Sequence, residues 1–261
     1  MVFTVPGEHN FWAPSVIELD GTYYMYCSYE FFGDTPDQGG HREALFVSQA
    51  DNPLGPFGQE KQILHPFSID SQIVQNESGL YLFYSTNTFE GDRIGTYIVV
   101  DKMLDPYTPA GHPVPVVVPT LDEEIFRRDR YKPGQHWHTI EGACYFREGD
   151  WQYVMYSGNC YLQPTYYIGY ARAKTDETDL TKIKFEKVPD DHTYAPVIRA
   201  NDWEEGTGHH SVIKKDGVWY AVYHARNVED DGFEGDRRNA RICRLEVKDG
   251  TITAHRYPDH I

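Results

Sequence analysis

The chain reads as all-β, and more narrowly as a β-propeller of four-stranded blades. Three observations predict this. A hairpin with an aromatic second strand recurs four times: FWAPSVIELDGTYYMYCS from Phe11, SIDSQIVQNESGLYLFYS from Ser68, TIEGACYFREGDWQYVMYS from Thr139 and GHHSVIKKDGVWYAVYH from Gly208. Tyrosine (20) and phenylalanine (13) are abundant and methionine (4) is scarce, a composition that suits half-buried pleated surfaces. Few stretches show the three-to-four-residue period of an amphipathic helix. The hairpins recur every roughly 60–70 residues, which leaves room for four strands and long loops in each blade.

Taken in order, Phe11 to Ser28 forms the first hairpin, closed by Asp20-Gly21, a strong short-range hairpin signal. Phe31 to Arg42 is a loop rich in glycine and aspartate, Ala44 to Ala50 a third strand, and Asn52-Pro53-Leu54-Gly55-Pro56-Phe57 a turn. The second unit starts at Ser68, has an outer strand at Gly95–Val100, and leaves through a proline-rich connection ending near Pro119. Leu121 to Arg130 is charged and reads as a short helix. The third unit runs from Trp137. Its strand Ala143–Phe146 turns at Glu148-Gly149-Asp150 into Trp151–Tyr156, and Tyr166–Ala173 is its outer strand. The exit from Thr175 to Asp191 is polar. The fourth unit starts at Gly208 and takes Arg241–Lys248 as its third strand. No low-complexity linker intervenes, so residues 1–261 are expected to form a single propeller domain, with blades from about residues 11, 68, 137 and 208.

The formal charge of −16 argues against nucleic acid and anionic membrane surfaces as partners and suits a neutral substrate. No apolar run reaches the roughly 20 residues that span a bilayer. The first residues, MVFTVPGEHNFW, carry neither the basic region nor the apolar core of a signal peptide. Cys27, Cys144, Cys160 and Cys243 are far apart and lack metal-ligand spacing, so they are expected as reduced thiols. Thiols of that kind, with no leader, predict a cytoplasmic protein.

Laying the four hairpins on one register puts Ala13, Asp70, Glu141 and His209 at the same place, the start of each first strand. Around a common axis those positions converge at one end of a channel. Two carboxylates facing each other across a funnel can cleave a glycosidic bond, one protonating the leaving oxygen and the other activating water or attacking carbon. A neighbouring carboxylate or an apolar wall supplies the raised pKa that the acid needs. Trp12, Trp137, Tyr161 and Trp203 lie near these positions in sequence and offer faces on which sugars stack. His209 reads either as a ligand to a metal ion or water, or as a histidine satisfied within the channel.

The series WAPSVIELDGTYYMYCS, DNPLGPF, SIDSQIV, IEGACYF, SGNCY and GHHSVIKKDGVWYAVYHAR resembles glycoside hydrolase family 43 from Phe11 to Leu245, in the family's order. The resemblance implies a five-bladed propeller, of which four blades are recognisable here. It also implies inversion at the anomeric centre of arabinose- or xylose-containing glycans, by an enzyme of α-L-arabinofuranosidase or β-xylosidase type. Glu141 matches the general acid and Asp70 the aspartate that tunes it, although Ser71 stands where proline is usual. His209 matches the channel histidine that holds a calcium ion or a water; no other cofactor is implied. Arg238 falls where the family has an arginine near the reacting sugar, and Trp12 matches a second-blade tryptophan. The family's base aspartate belongs to a first blade that is not recognisable here; Ala13 cannot replace it, and Asp34 and Asp37 are weak stand-ins. The resemblance thus admits three outcomes: a weak glycosidase, a sugar-binding propeller without turnover, or a truncated enzyme. An uncovered seam would favour a homo-oligomer.

Overall fold

Aspartate–glycine pairs close the hairpins. Asp20-Gly21, Asp216-Gly217 and Asp249-Gly250 each place two successive residues at positive φ (52° and 83°, 50° and 79°, 50° and 82°). That is the type I′ geometry, whose twist matches the flanking strands and which Asp and Gly adopt at least cost. The computed structural model describes residues 11–30, 42–229 and 237–256. The loop containing Asp34 and Asp37 lies outside these residues.

The chain divides into two compact units. The first holds the residues up to Asn87, with Tyr97–Val116 and Glu177–Ile183. Within it, β1 (Phe11–Leu19), β2 (Thr22–Glu30), β3 (Glu43–Ala50) and β4 (Gly58–Gln62) form an antiparallel sheet in chain order. Next, β5 (Ile69–Asn76), β6 (Gly79–Thr88) and β7 (Gly95–Asp105) pair in sequence, with β8 (Thr108–Pro109) and β9 (Val114–Val117) on β7. Tyr26, Leu45, Val47, Ile73, Leu82 and Val99 form the core of this unit.

The second unit holds Thr88–Thr96, Val117–Asp176 and the residues from Lys184 onward. Here β10 (Ile125–Arg127) pairs with β11 (Trp137–Glu148), followed by β12 (Trp151–Gly158), β13 (Tyr167–Lys174) and β14 (Glu186–Lys187). A further antiparallel sheet completes the unit: β15 (Glu204–Lys215), β16 (Val218–Asn227), β17 (Asn239–Lys248) and β18 (Thr251–His255). Cys144, Phe146, Tyr153, Met155 and Ile168 pack with Ala221, Tyr223, Cys243 and Leu245 between these two sheets. The aromatic second strands are core, as their composition suggests: Tyr26, Tyr81 and Tyr153 are fully buried.

All four first strands are interrupted in the same way. The register slips between Trp12 and Ser15, Ile69 and Gln72, Glu141 and Cys144, and Gly208 and His210. Each slip is a β-bulge that inserts one extra residue against the partner strand and re-aims the side chains around it. The left-handed residue of each bulge is Ala13 (φ 40°), Asp70 (57°), Gly142 (65°) or His209 (35°). This corrects the sequence register by one residue: Gly142, not Glu141, is equivalent to Asp70 and His209. Glu141 occupies the preceding place, shared by Trp12, Ile69 and Gly208.

The helix expected over Leu121–Arg130 does not form. A single 3₁₀ turn, Asp122–Glu124, runs directly into β10. The cause is Glu124, whose buried carboxylate accepts from the backbone N–H groups of Thr120 (2.5 Å) and Leu121 (2.9 Å) and pairs with Lys187 Nζ at 2.5 Å. Those bonds anchor the turn, and the next residues are taken up by pairing with β11.

In the second unit, Gly95 and Thr96 pair in parallel with His138 and Thr139. Gly95 is at φ 145°, and a Cβ there would lie 1.9 Å from the His138 carbonyl oxygen. Gly95→Ala is therefore expected to destabilise the fold by roughly 2–4 kcal/mol, combining overpacking with backbone strain. Urea unfolding measures this; a loss under about 1 kcal/mol would show that the two strands can separate at little cost.

Candidate active site

The bulge of β11 presents Glu141 half-buried. The Tyr166 hydroxyl donates to Glu141 Oε1 at 2.6 Å. Tyr166 is itself immobilised. Its ring is fully buried and stacks on His224, with centroids 5.7 Å apart and planes at 12°. On another side a Cβ at Gly208 would come within 1.9 Å of the ring, so only glycine fits. Its backbone carbonyl accepts from Thr207 Oγ1 at 3.2 Å. The glycine that starts the GHH motif thus serves close packing against the residue that holds Glu141.

His209 approaches the same bulge. A Cβ on Gly142 would touch the His209 ring at 3.4 Å, and the His209 N–H donates to Ser157 Oγ at 2.9 Å. Ser157 is the residue paired with Glu141 across β11 and β12. Burial holds the His209 imidazole below its usual pKa; the Glu141 carboxylate opposes that shift and the Arg238 guanidinium adds to it. Arg238 lies over the Tyr161 ring, 4.7 Å from its centroid. Arg226, 2% exposed, fixes the backbone of that loop by donating to the carbonyls of Tyr161 (2.9 Å) and Leu162 (3.4 Å). Glu141, His209, Tyr161 and Arg238 therefore gather in the second unit, with Tyr166 and Arg226 as supports that the sequence reading missed. Tyr166 sits one residue before β13 among several tyrosines, and nothing in the string YLQPTYYIGY singles it out.

The other expected residues fare differently. Asp70 and Trp12 belong to the first unit. Asp70 is 5% exposed at its bulge, and the Trp12 carbonyl accepts from Cys27 Sγ at 3.4 Å. Trp203 is partly buried just before β15, and its N–H donates to Asn201 Oδ1 at 3.1 Å. Trp137 does not present an open face. It is 2% exposed, beneath Phe89 (5.3 Å) and Tyr131 (5.9 Å), with the Arg130 guanidinium 4.5 Å from its centroid. The open aromatic surface there belongs to Phe89 and Tyr131, each about half exposed. Among the described residues no three His, Cys, Asp or Glu side chains are placed to hold a metal ion.

Groups of antiparallel strands, each opened by a bulged first strand, make the chain a β-propeller, and solved structures agree. A thermostable family-43 glycoside hydrolase superposes with a TM-score of 0.74 at 28% identity, over 94% of this chain and 74% of that one. The α-L-arabinofuranosidase of Lactobacillus brevis shares the fold with a TM-score of 0.75 at 21% identity, with the same coverage. The model of the glycosyl hydrolases family 43 matches residues 3–252, and the chain belongs to that family. A curated relative is the extracellular exo-α-(1→5)-L-arabinofuranosidase of Streptomyces avermitilis, 27% identical over 98% of this chain. The chain spans about half of that protein's length, 54%.

That relative overturns the cytoplasmic location expected from the thiols, because it is an extracellular enzyme. The four cysteines are buried thiols outside any disulfide. Burial pushes the Cys27 and Cys243 thiols up to about 11 and Cys144 to about 12. Thiols so far from ionisation resist oxidation in any compartment, so they say nothing of location.

His210, beside His209, is 5% exposed, and neither ring nitrogen has a hydrogen-bond partner among the described residues. Burial, then the neighbouring His209 and His224, push it from 6.5 down to about 3. The fold holds the neutral ring, whereas the unfolded chain protonates it near 6.5. Its contribution to stability is therefore complete above that pH and falls by about 1.4 kcal/mol per unit as pH drops from about 6.5 toward 3. Denaturant unfolding followed from about pH 7.5 to 4.5 should show a shallower decline for His210→Gln than for the wild type. Equal slopes would mean that the ring finds solvent or a partner.

Proposed function

We propose that the chain is an inverting glycosidase acting on arabinose- or xylose-containing glycans, with Glu141 as its general acid. The observation that carries this reading is the 2.6 Å hydrogen bond from the immobilised Tyr166 to Glu141. A carboxyl group held in one orientation at the bulge of a first strand, beside an imidazole and a guanidinium, is suited to protonating a leaving glycosidic oxygen. Family membership and the arabinofuranosidase relative support the substrate class. The family resemblance gives Asp70 the role of tuning the acid.

Inversion also needs a carboxylate base about 6.5–9.5 Å from the acid, with a water between. Apart from Asp70, the left-handed bulge positions carry Ala13, Gly142 and His209, none of which is a carboxylate base. Asp34 and Asp37 fall outside the described residues. That shortage favours slow turnover with saccharide binding retained, in a homo-oligomer that covers the seam expected between blades. Measuring mass in solution together with the release of aryl pentosides tests both features: a monomer with turnover of roughly 1–10³ per second would contradict them.

Glu141→Gln should keep the fold and cost on the order of 10²-fold or more on glycosides with poor leaving groups, but less on activated aryl glycosides. Equal losses on both would remove Glu141 from the acid role. Tyr166→Phe removes a donor that favours the ionised carboxylate. The alkaline limb of its pH–rate profile should therefore move to higher pH, with a lower maximal rate as the acid loses its fixed orientation. An unchanged profile would leave Tyr166 a packing residue only.

A further inference from the structure

A cavity of about 690 Å³ opens in the second unit between the segment 122–128 and the loop 159–165. Its size falls within the roughly 300–1,000 Å³ of small-molecule sites. None of the catalytic or sugar-binding candidates from the sequence lines it, yet its loop wall is continuous with the machinery around Glu141. That wall begins just after Ser157, which pairs with Glu141, and ends just before Tyr166, which donates to it. The Asn159 N–H donates to the Thr139 carbonyl at 3.2 Å, on the strand that carries Glu141.

Both walls are built in advance of any ligand. Asn159 Nδ2 donates to the Glu123 carbonyl at 2.9 Å and so ties loop to segment. The loop folds on itself through Gln163 N–H to the Cys160 carbonyl (2.8 Å) and Tyr166 N–H to the Gln163 carbonyl (3.2 Å). Behind the segment, Glu124 is locked by Lys187 and by the Tyr167 hydroxyl at 3.2 Å. The same Tyr167 ring meets Tyr194 edge-on at 5.0 Å and backs it as a wall of the cavity.

The lining is polar and carries both signs of charge. Asp122 and Glu123 stand beside Arg127 and Arg128, and Asp122 is already paired with Arg93 at 2.9 Å. The exposed amide of Gln163 and hydroxyl of Thr165, with the rings of Phe126 and Tyr194, suit a neutral molecule that is rich in hydroxyls and has apolar ring faces.

We infer that this cavity is a second saccharide site, which takes the part of a neutral pentose oligosaccharide beyond the bond that Glu141 protonates. The inference rests on the proposed glycosidase reading and names where its longer substrates are held. Calorimetry with a pentose, an arabinotriose and a xylotriose tests it. The wild type should bind one trisaccharide tenfold or more tighter than the monosaccharide. Gln163→Ala combined with Tyr194→Ala should erase that gain, as should Thr165→Trp, which fills the cavity from an exposed position. A gain retained in both variants, with melting curves like the wild type's, overturns the inference while leaving the glycosidase reading intact. A wild type that neither binds any of the three sugars nor cleaves an aryl pentoside overturns both.

Discussion

The structure depends on a backbone constraint: the bulge in each first strand, where one residue must enter the left-handed region. Glycine meets that demand freely, whereas alanine, aspartate and histidine do so under strain. Ala13, Asp70 and His209 nonetheless occupy it. Strain of that kind persists only where surrounding structure over-determines it. Ser28, Ser85 and Ser157 are fully buried and pair with the residue just before the bulge in three of the hairpins. Ser157 also accepts the His209 N–H and so helps to hold that strained residue. The bulge sets the direction of Glu141, and the left-handed glycine after it lets the His209 ring approach.

Around the bulge, fixed groups and reactive groups divide the labour. Gly208 and His224 confine the Tyr166 ring, and two guanidinium nitrogens of the buried Arg226 are tied to backbone carbonyls. Between them, Glu141, His209 and Arg238 carry charge or can acquire it. Such an arrangement is organised before a ligand arrives, which is the condition under which a single proton donor is effective. His210 shows what this costs, since a second imidazole is kept neutral in the interior beside the first.

Much of the fold was legible in the chain. Asp20-Gly21 marked the first hairpin turn, aromatic second strands marked the core, and four repeated hairpins marked the blades. The glutamate–glycine and GHH strings located the acid candidate and its histidine neighbour. The features that could not be read came from tertiary contacts. The one-residue slip between Glu141 and Asp70 arises because a bulge lets two residues face one, which a string comparison does not show. The helix over Leu121–Arg130 lost to a buried Glu124–Lys187 pair formed across more than sixty residues. Trp137 looked like a stacking surface until Phe89, Tyr131 and Arg130 proved to cover it. The thiols indicated the wrong compartment because burial, not the surrounding redox state, keeps them reduced.

The central claim is that the bulge and Tyr166 together aim Glu141 at a glycosidic oxygen. A crystal structure with an uncleaved pentose oligosaccharide, or a non-hydrolysable analogue, tests it most directly. A Glu141 carboxylate oxygen is expected within about 2.6–3.2 Å of the linking oxygen, the reach of general-acid catalysis, with the Tyr166 hydrogen bond still in place. A bound glycan whose linking oxygens all lie beyond that reach, or a Glu141 swung away from Tyr166 on binding, would contradict the account.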